Sequence, residues 1–126
     1  MLKDFAKAFQ PDKETVKASL KEEREKLFAN QMKIKDAKLP VMVIFEGWGS
    51  AGKGSVIGEV IQNIDPRFFR VATTNAAPTE EEKRKPFLYR YFIQIPEAGK
   101  FQFFDTCWME EVVDGVLDGT LDETTY

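Results

Sequence analysis

"VMVIFEGWGSAGKGSV", residues Val41 to Val56, passes from an apolar run into a glycine-rich one and out again. Its first part, "VMVIFE", reads as a buried strand, continuously apolar as central parallel strands are. Gly47, Trp48, Gly49, Ser50, Ala51, Gly52 and Lys53 then fit G-x-x-x-x-G-K, a phosphate-holding pattern. Glycines let the backbone curl so that successive N–H groups point at phosphate oxygens. A helix beginning near Gly54 adds the partial positive charge of its N-terminus, and Lys53 adds a full one. The alternative is a structural glycine-rich turn. The strand before and the helical "SVIGEVIQNI" after supply the context a phosphate loop requires. An ordinary P-loop (Walker A) has Ser or Thr after the lysine, and that hydroxyl ligates Mg²⁺. Here Gly54 stands there, and Ser55 comes one residue late, a helical rotation of about 100°. Metal binding would then lean on carboxylates.

Working outward, Asp12 is an N-cap for a long helix from about Lys13 to about Asp36. Val16, Leu20, Leu27 and Ile34 fall on one face of it, among many Lys and Glu. Its two readings are an amphipathic helix packed on the outside of the domain and a partner or dimer helix. Leu39-Pro40 ends it. After the loop, Asp65-Pro66 breaks the next helix, "FFRVATT" is a second strand and "NAAP" a loop. Thr79 to Glu82 fits the S/T-x-x-E capping box, so a helix is expected from Thr79 to about Ile93, kinked or restarted at Pro86. Pro96 to Lys100 is a turn, "FQFFD" a third strand and "MEEVVDGVLDG" a last helix. Strand and helix alternating in this way predict an α/β domain with a parallel sheet.

The chain has 126 residues, enough for one small domain with its own core. Its one cysteine forms no intrachain disulfide and fits a reducing compartment. No apolar stretch reaches membrane-spanning length, and the N-terminus lacks the pattern of a secretory signal. A cytoplasmic location is the expectation. The net charge of −3 lacks the basic excess of a general nucleic-acid binder, so neither nucleic acid nor membrane is an expected partner. There is no histidine, which excludes a phosphohistidine intermediate and a histidine-ligated metal.

Asp105 ends the apolar strand "FQFF". A carboxylate at the carboxyl end of a central strand is where a Walker-B Asp lies beside a P-loop; the alternative is an N-cap for the helix that follows. Cys107, with no histidine to activate it, reads as a buried small residue rather than a nucleophile. Lys83, Arg84 and Lys85 read as a solvated basic face that could also guide a polyanion.

With these pieces in place, "VIFEGWGSAGKGSVIGEVIQNIDPRFFRV", then "APTEEE", "YRYFIQIPEAGKFQFFD" and Trp108, resemble the polyphosphate kinase 2 family over about Val41 to Trp108. The resemblance implies an α/β, P-loop NTPase-like three-layer fold with a parallel sheet, preceded by a long N-terminal helix. It divides the chain into a helical extension, 1–38, and a P-loop kinase-like domain, 39–126, incomplete before a lid and C-terminal strands and helices. The chain is therefore expected to be a fragment of a longer protein. Glycine after the lysine is usual in this family, and Trp48 resembles the branch that phosphorylates AMP from polyphosphate.

Carried over by position, the phosphate-binding loop is Gly47, Gly49, Ser50, Ala51, Gly52, Lys53, Gly54 and Ser55. Lys53, Asp105 and Arg90 match catalytic positions, with Asp105 the Mg²⁺ carboxylate. Thr79, Glu80 and Arg67 match further substrate-binding positions. The implied function is a polyphosphate-dependent nucleotide phosphotransferase working by direct in-line transfer. Polyphosphate and an adenine nucleotide (AMP, ADP or ATP) are its partners, Mg²⁺ its cofactor, and a homo-oligomer a further reading. Two departures matter. The family usually has Asp where Gly49 stands and Arg where Thr106 stands. Losing a metal-organising carboxylate and a cationic clamp would remove several kcal/mol of transition-state stabilisation. A weakened, phosphate-binding or structural half of a tandem-domain protein is therefore the second reading. Another P-loop small-molecule kinase is the third.

Overall fold

The computed structural model describes residues 12–74 and 76–121. The expectations for the N-terminal residues 1–11, for Asn75 in the "NAAP" loop and for the acidic end after 121 lie outside it. Helix α1, Lys13–Asp36, starts where expected: the Asp12 carboxylate accepts from the Thr15 N–H at 3.2 Å. It stops before Lys38, whose φ of 53° no helix can continue. Strand β1 is Val41–Phe45, helix α2 Lys53–Ile61, strand β2 Phe69–Thr73, helix α3 Tyr89–Phe92, strand β3 Phe101–Asp105 and helix α4 Trp108–Leu117.

The three strands form one sheet in the order β1-β3-β2, with both pairings parallel. Val41, Phe101 and Phe69 share one end of the register, and Phe45, Asp105 and Thr73 share the other. Strand β3 is central, and its first four residues are all buried. Side chains alternate across the sheet, so its two faces carry different cores. On one face Phe101 and Phe103 meet Ile57 of α2 and Ile64, with Leu27 and Ile34 of α1 packed over them. On the other, Phe104 and Ala72 meet Tyr91 of α3 and Cys107, with Trp108 alongside. Helices on both faces of a parallel sheet make the three layers expected from the sequence. No helix among the described residues is long and apolar enough to cross a membrane.

The long helix adopts the packed reading. Leu27 and Ile34 reach the core, Gln31 is buried with its side-chain oxygen accepting from the Asp65 N–H at 3.3 Å, and Arg24 pairs with Glu59 of α2. The helix expected from Thr79 is overturned. Its capping box does form: the Thr79 N–H donates to Glu82 Oε2 at 2.7 Å and the Glu82 N–H to Thr79 Oγ1 at 3.2 Å. It closes a single 3₁₀ turn, Glu82–Arg84. Pro86 cannot donate to that turn, and helix restarts as the one-turn α3.

Candidate functional site

The glycine-rich loop leaves the carboxyl end of β1 and enters α2, with the end of β3 beside it. Gly52, the N-cap of α2, has φ 86°, and Gly47 has φ 151°; side chains are rarely accommodated in either conformation. Ala51 N–H donates to the Trp48 carbonyl at 2.8 Å and closes the turn. The first N–H groups of α2 have no partner within the helix.

Lys53 folds back over this loop. Its ammonium donates to the Gly47 carbonyl, to the Trp48 carbonyl at 3.4 Å and to Glu110 Oε2 at 3.3 Å. The Lys53 side chain is 10% exposed and that of Glu110 23%, so solvent screens this pair less than a surface one. Glu110 was not singled out in the sequence. It reads there as an acidic residue in the first turn of a helix, which the dipole explains. Only the docking of α4 beside the loop brings it to Lys53.

Asp105 is not a cap. The N-cap of α4 is Cys107, whose N–H donates to Glu46 Oε1 at 3.0 Å. The Asp105 carboxylate instead faces the start of α2: a Cβ built on Gly54 would lie 3.5 Å from its Oδ2. The chain leaves β3 through Thr106, buried and at φ 76°, a conformation uncommon for a non-glycine residue. Two bonds hold it there. Its N–H donates to the Phe45 carbonyl at 3.1 Å, and its carbonyl accepts from Thr74 Oγ1 at 3.0 Å.

Beyond Thr106 a cavity of about 580 Å³ opens between α3 and α4, with Arg90 in one wall and Glu110, Glu111 and Asp114 in the other. Arg90 is buried, and its Nη2 donates to the carbonyls of Thr74 at 3.2 Å and Ala76 at 2.9 Å. Its Nε is buried without a partner among the described residues. Tyr91 donates to Glu111; burial, with that carboxylate second, pushes its hydroxyl above the usual tyrosine range. Glu111 is a second acid that sequence reading did not place, hidden for the same reason as Glu110.

Four residues expected at the site make other contacts. Arg67 precedes β2, at the amino end of a parallel sheet whose carboxyl end carries the loop. About five residues of strand, roughly 15 Å, separate the two. There it grips Asp65 with hydrogen bonds of 2.6 to 3.1 Å, and the contact holds the Asp65 carboxyl down to about 2. Thr79 serves the capping box, and Glu80 pairs with Lys83 at 2.7 Å on the surface. Ser55 lies two residues past Lys53, about 200° around α2, and lines the groove against α1 with Leu20.

Cys107 is fully buried; burial first and the Glu46 carboxylate second raise its thiol to about 11. At pH 8 it is protonated and a poor nucleophile. Alkylation is accordingly expected to be negligible in the native chain and complete in denaturant. Labelling at equal rates in both conditions would contradict this.

Mg²⁺ typically takes one or two carboxylates and completes its shell with water and substrate phosphates. Asp105, beside the open flank of Gly54, supplies such a carboxylate. Among the described residues no group of three or more His, Cys, Asp and Glu forms an all-protein cage.

The comparisons agree with this geometry. The family model for polyphosphate kinase 2 matches residues 10–126. A polyphosphate:AMP phosphotransferase of Pseudomonas syringae pv. tomato is 37% identical over 86 residues, 68% of this chain and 17% of that protein. ADP-polyphosphate phosphotransferase 3 of Rhizobium meliloti is 38% identical over 85 residues, 68% of this chain and 30% of that protein. The crystal structure of polyphosphate kinase 2 from Arthrobacter aurescens TC1 superposes with a TM-score of 0.73 at 31% identity, covering 84% of this chain and 39% of the other. The chain thus spans less than a third of either curated relative. A parallel sheet with a lysine-bearing glycine loop at β1, an aspartate at the end of the neighbouring β3, and a match over residues 10–126 establish that this chain belongs to the polyphosphate kinase 2 family.

Proposed function

We propose that this chain is the phosphate-binding part of a polyphosphate-dependent nucleotide phosphotransferase, passing a phosphoryl group between polyphosphate and an adenine nucleotide, AMP foremost. The observation that carries the reading is the placement of Lys53 and the N-terminus of α2 at the carboxyl end of the sheet, beside Asp105. Phosphoryl transfer asks a protein mainly for positioning and for cancelling charge.

Each residue has a part in that task. The P-loop N–H groups cradle a phosphate, and Lys53 turns from the loop carbonyls and Glu110 to meet it. Asp105 would hold Mg²⁺ together with the phosphates. When bound, such an ion would supply positive charge to offset that of the transferring phosphoryl group. Arg90 supplies a cationic wall in the neighbouring cavity for the acceptor phosphate. Transfer is in line, with no covalent enzyme intermediate. Arg67, Thr79 and Glu80, bound to Asp65, Glu82 and Lys83 in this structure, are given no step in this proposal. A cytoplasmic setting, where both substrates are available, belongs to the same proposal. The test is incubation with polyphosphate, AMP and Mg²⁺. Formation of ADP supports the reading, and activity with ATP donors alone, indifferent to polyphosphate, would overturn it.

A second reading, a weakened site that binds phosphate without efficient transfer, is favoured by one observation. Acids crowd the loop and the cavity: Glu110 engages Lys53, and Glu111 and Asp114 face Arg90 across the cavity. Gly49 has open space beside it, with no atom of the described residues within 4 Å of a built Cβ apart from its chain neighbours, and Thr106 lines the cavity. The double variant Gly49→Asp with Thr106→Arg is therefore expected to fold and to raise the transfer rate by tenfold or more. Absence of any gain would count against decay of an active site at these two positions.

A further inference from the structure

Trp48, at the tip of the phosphate loop, is 82% exposed, more than any other large apolar side chain among the described residues. The loop turn uses only its backbone carbonyl, which Ala51 N–H and Lys53 reach. The indole therefore contributes nothing evident to the loop itself. It stands over α4, where Met109 and Val113, four residues apart and so on one helical face, are also exposed. Together with the Gly47 backbone these side chains line a chiefly apolar hollow of about 330 Å³, within the range of small-molecule sites. Glu46, Glu110 and Asp114 form its rim.

That combination discriminates between occupants. A phosphate chain would meet three carboxylates and no cation inside the hollow. A nucleobase suits it better: its faces stack on an indole, and its ring-edge N–H groups donate to carboxylates. The hollow is also continuous with the phosphate site. Glu110 on its rim is the carboxylate that engages Lys53, and the Trp48 carbonyl is 3.4 Å from the lysine nitrogen. A phosphate that draws Lys53 away would free Glu110 to accept from a base.

We infer that Trp48, Met109 and Val113 form a nucleobase slot, in which the base of a purine nucleotide stacks on the Trp48 indole while its phosphates reach Lys53. The inference rests on the phosphate-loop reading above and adds a specificity-determining residue to it.

The test is calorimetric binding of two ligands, ADP and tripolyphosphate, each with Mg²⁺, to the wild-type chain and to Trp48→Ala and Trp48→Phe. Base–aromatic stacking accounts for about 1–3 kcal/mol per base, or about 5- to 150-fold in affinity. Trp48→Ala is expected to weaken ADP by a factor in that range and to leave tripolyphosphate within about twofold. Trp48→Phe, which keeps an aromatic face, should retain most of the ADP affinity. The slot is overturned if Trp48→Ala leaves ADP binding unchanged, or weakens both ligands alike, which would mark a structural effect on the loop. A wild-type chain that binds tripolyphosphate but not ADP overturns the slot alone. One that binds neither removes the phosphate-loop reading with it.

Discussion

Replacing Lys53 by alanine is expected to lower affinity for tripolyphosphate by about tenfold to 150-fold, the equivalent of the 1.5–3 kcal/mol attributed to hydrogen bonds with charged groups. The upper end is favoured by what the substitution leaves behind. Glu110, 3.3 Å from the lysine nitrogen, would keep its negative charge beside the loop with no cation to offset it. An incoming phosphate would then meet repulsion where it had met attraction. Stability should change little, because the ammonium touches only the Gly47 and Trp48 carbonyls and Glu110, none of them in the core. Calorimetry with tripolyphosphate, alongside thermal melting of both proteins, separates these effects. Unchanged affinity would refute the loop as a phosphate site. A large fall in melting temperature would show that the lysine is a structural strut.

Phe103→Ala is expected to cost about 3–5 kcal/mol of folding stability. Small domains hold only about 5–15 kcal/mol in total, so the variant should be largely or wholly unfolded at 37 °C. Phe103 is 1% exposed in the middle of the central strand. Its ring lies 6.0 Å from that of Phe101, 6.2 Å from Phe69 and 6.5 Å from Phe45, so it joins all three strands. Ile57 of α2 belongs to the same cluster. The backbone cannot close the void without pulling the strands together, and the cavity term therefore persists. Urea unfolding measures the loss. Met42→Ala, at a half-exposed edge position, is the comparison and should cost well under half as much. Equal costs at the two sites would mean that β3 is not the centre of the sheet.

Some of the site was legible because it rests on local rules. The loop had to be a loop, since Gly52 adopts a positive φ that other residues avoid. Asp105 was expected beside the loop from its place at the end of an apolar strand, and it lies next to Gly54. Ser55 was counted with the loop by adjacency, but two residues of helix turn its side chain toward α1. Arg67 was carried over from a pattern. A parallel sheet puts every residue just before a strand at the end opposite the loop, a consequence that strand direction makes clear and that spacing alone does not. The capping box at Thr79 was correctly seen as a box. Its length was misjudged, because Pro86 stops propagation after one turn.

The sequence by itself determined the helix from Lys13, the three strands, the glycine-rich loop between β1 and α2 and the burial of Cys107, since caps, apolar runs and glycine conformations act locally. Only the tertiary structure decided the order β1-β3-β2, and with it what surrounds Lys53. Glu110 and Glu111 meet Lys53 and Tyr91, and Met109 and Val113 meet Trp48, because α4 leaves β3 through Thr106 and docks beside the loop. Those residues stand 20 to 65 positions apart in the chain. No local preference connects them; the sheet that carries both β1 and β3 does.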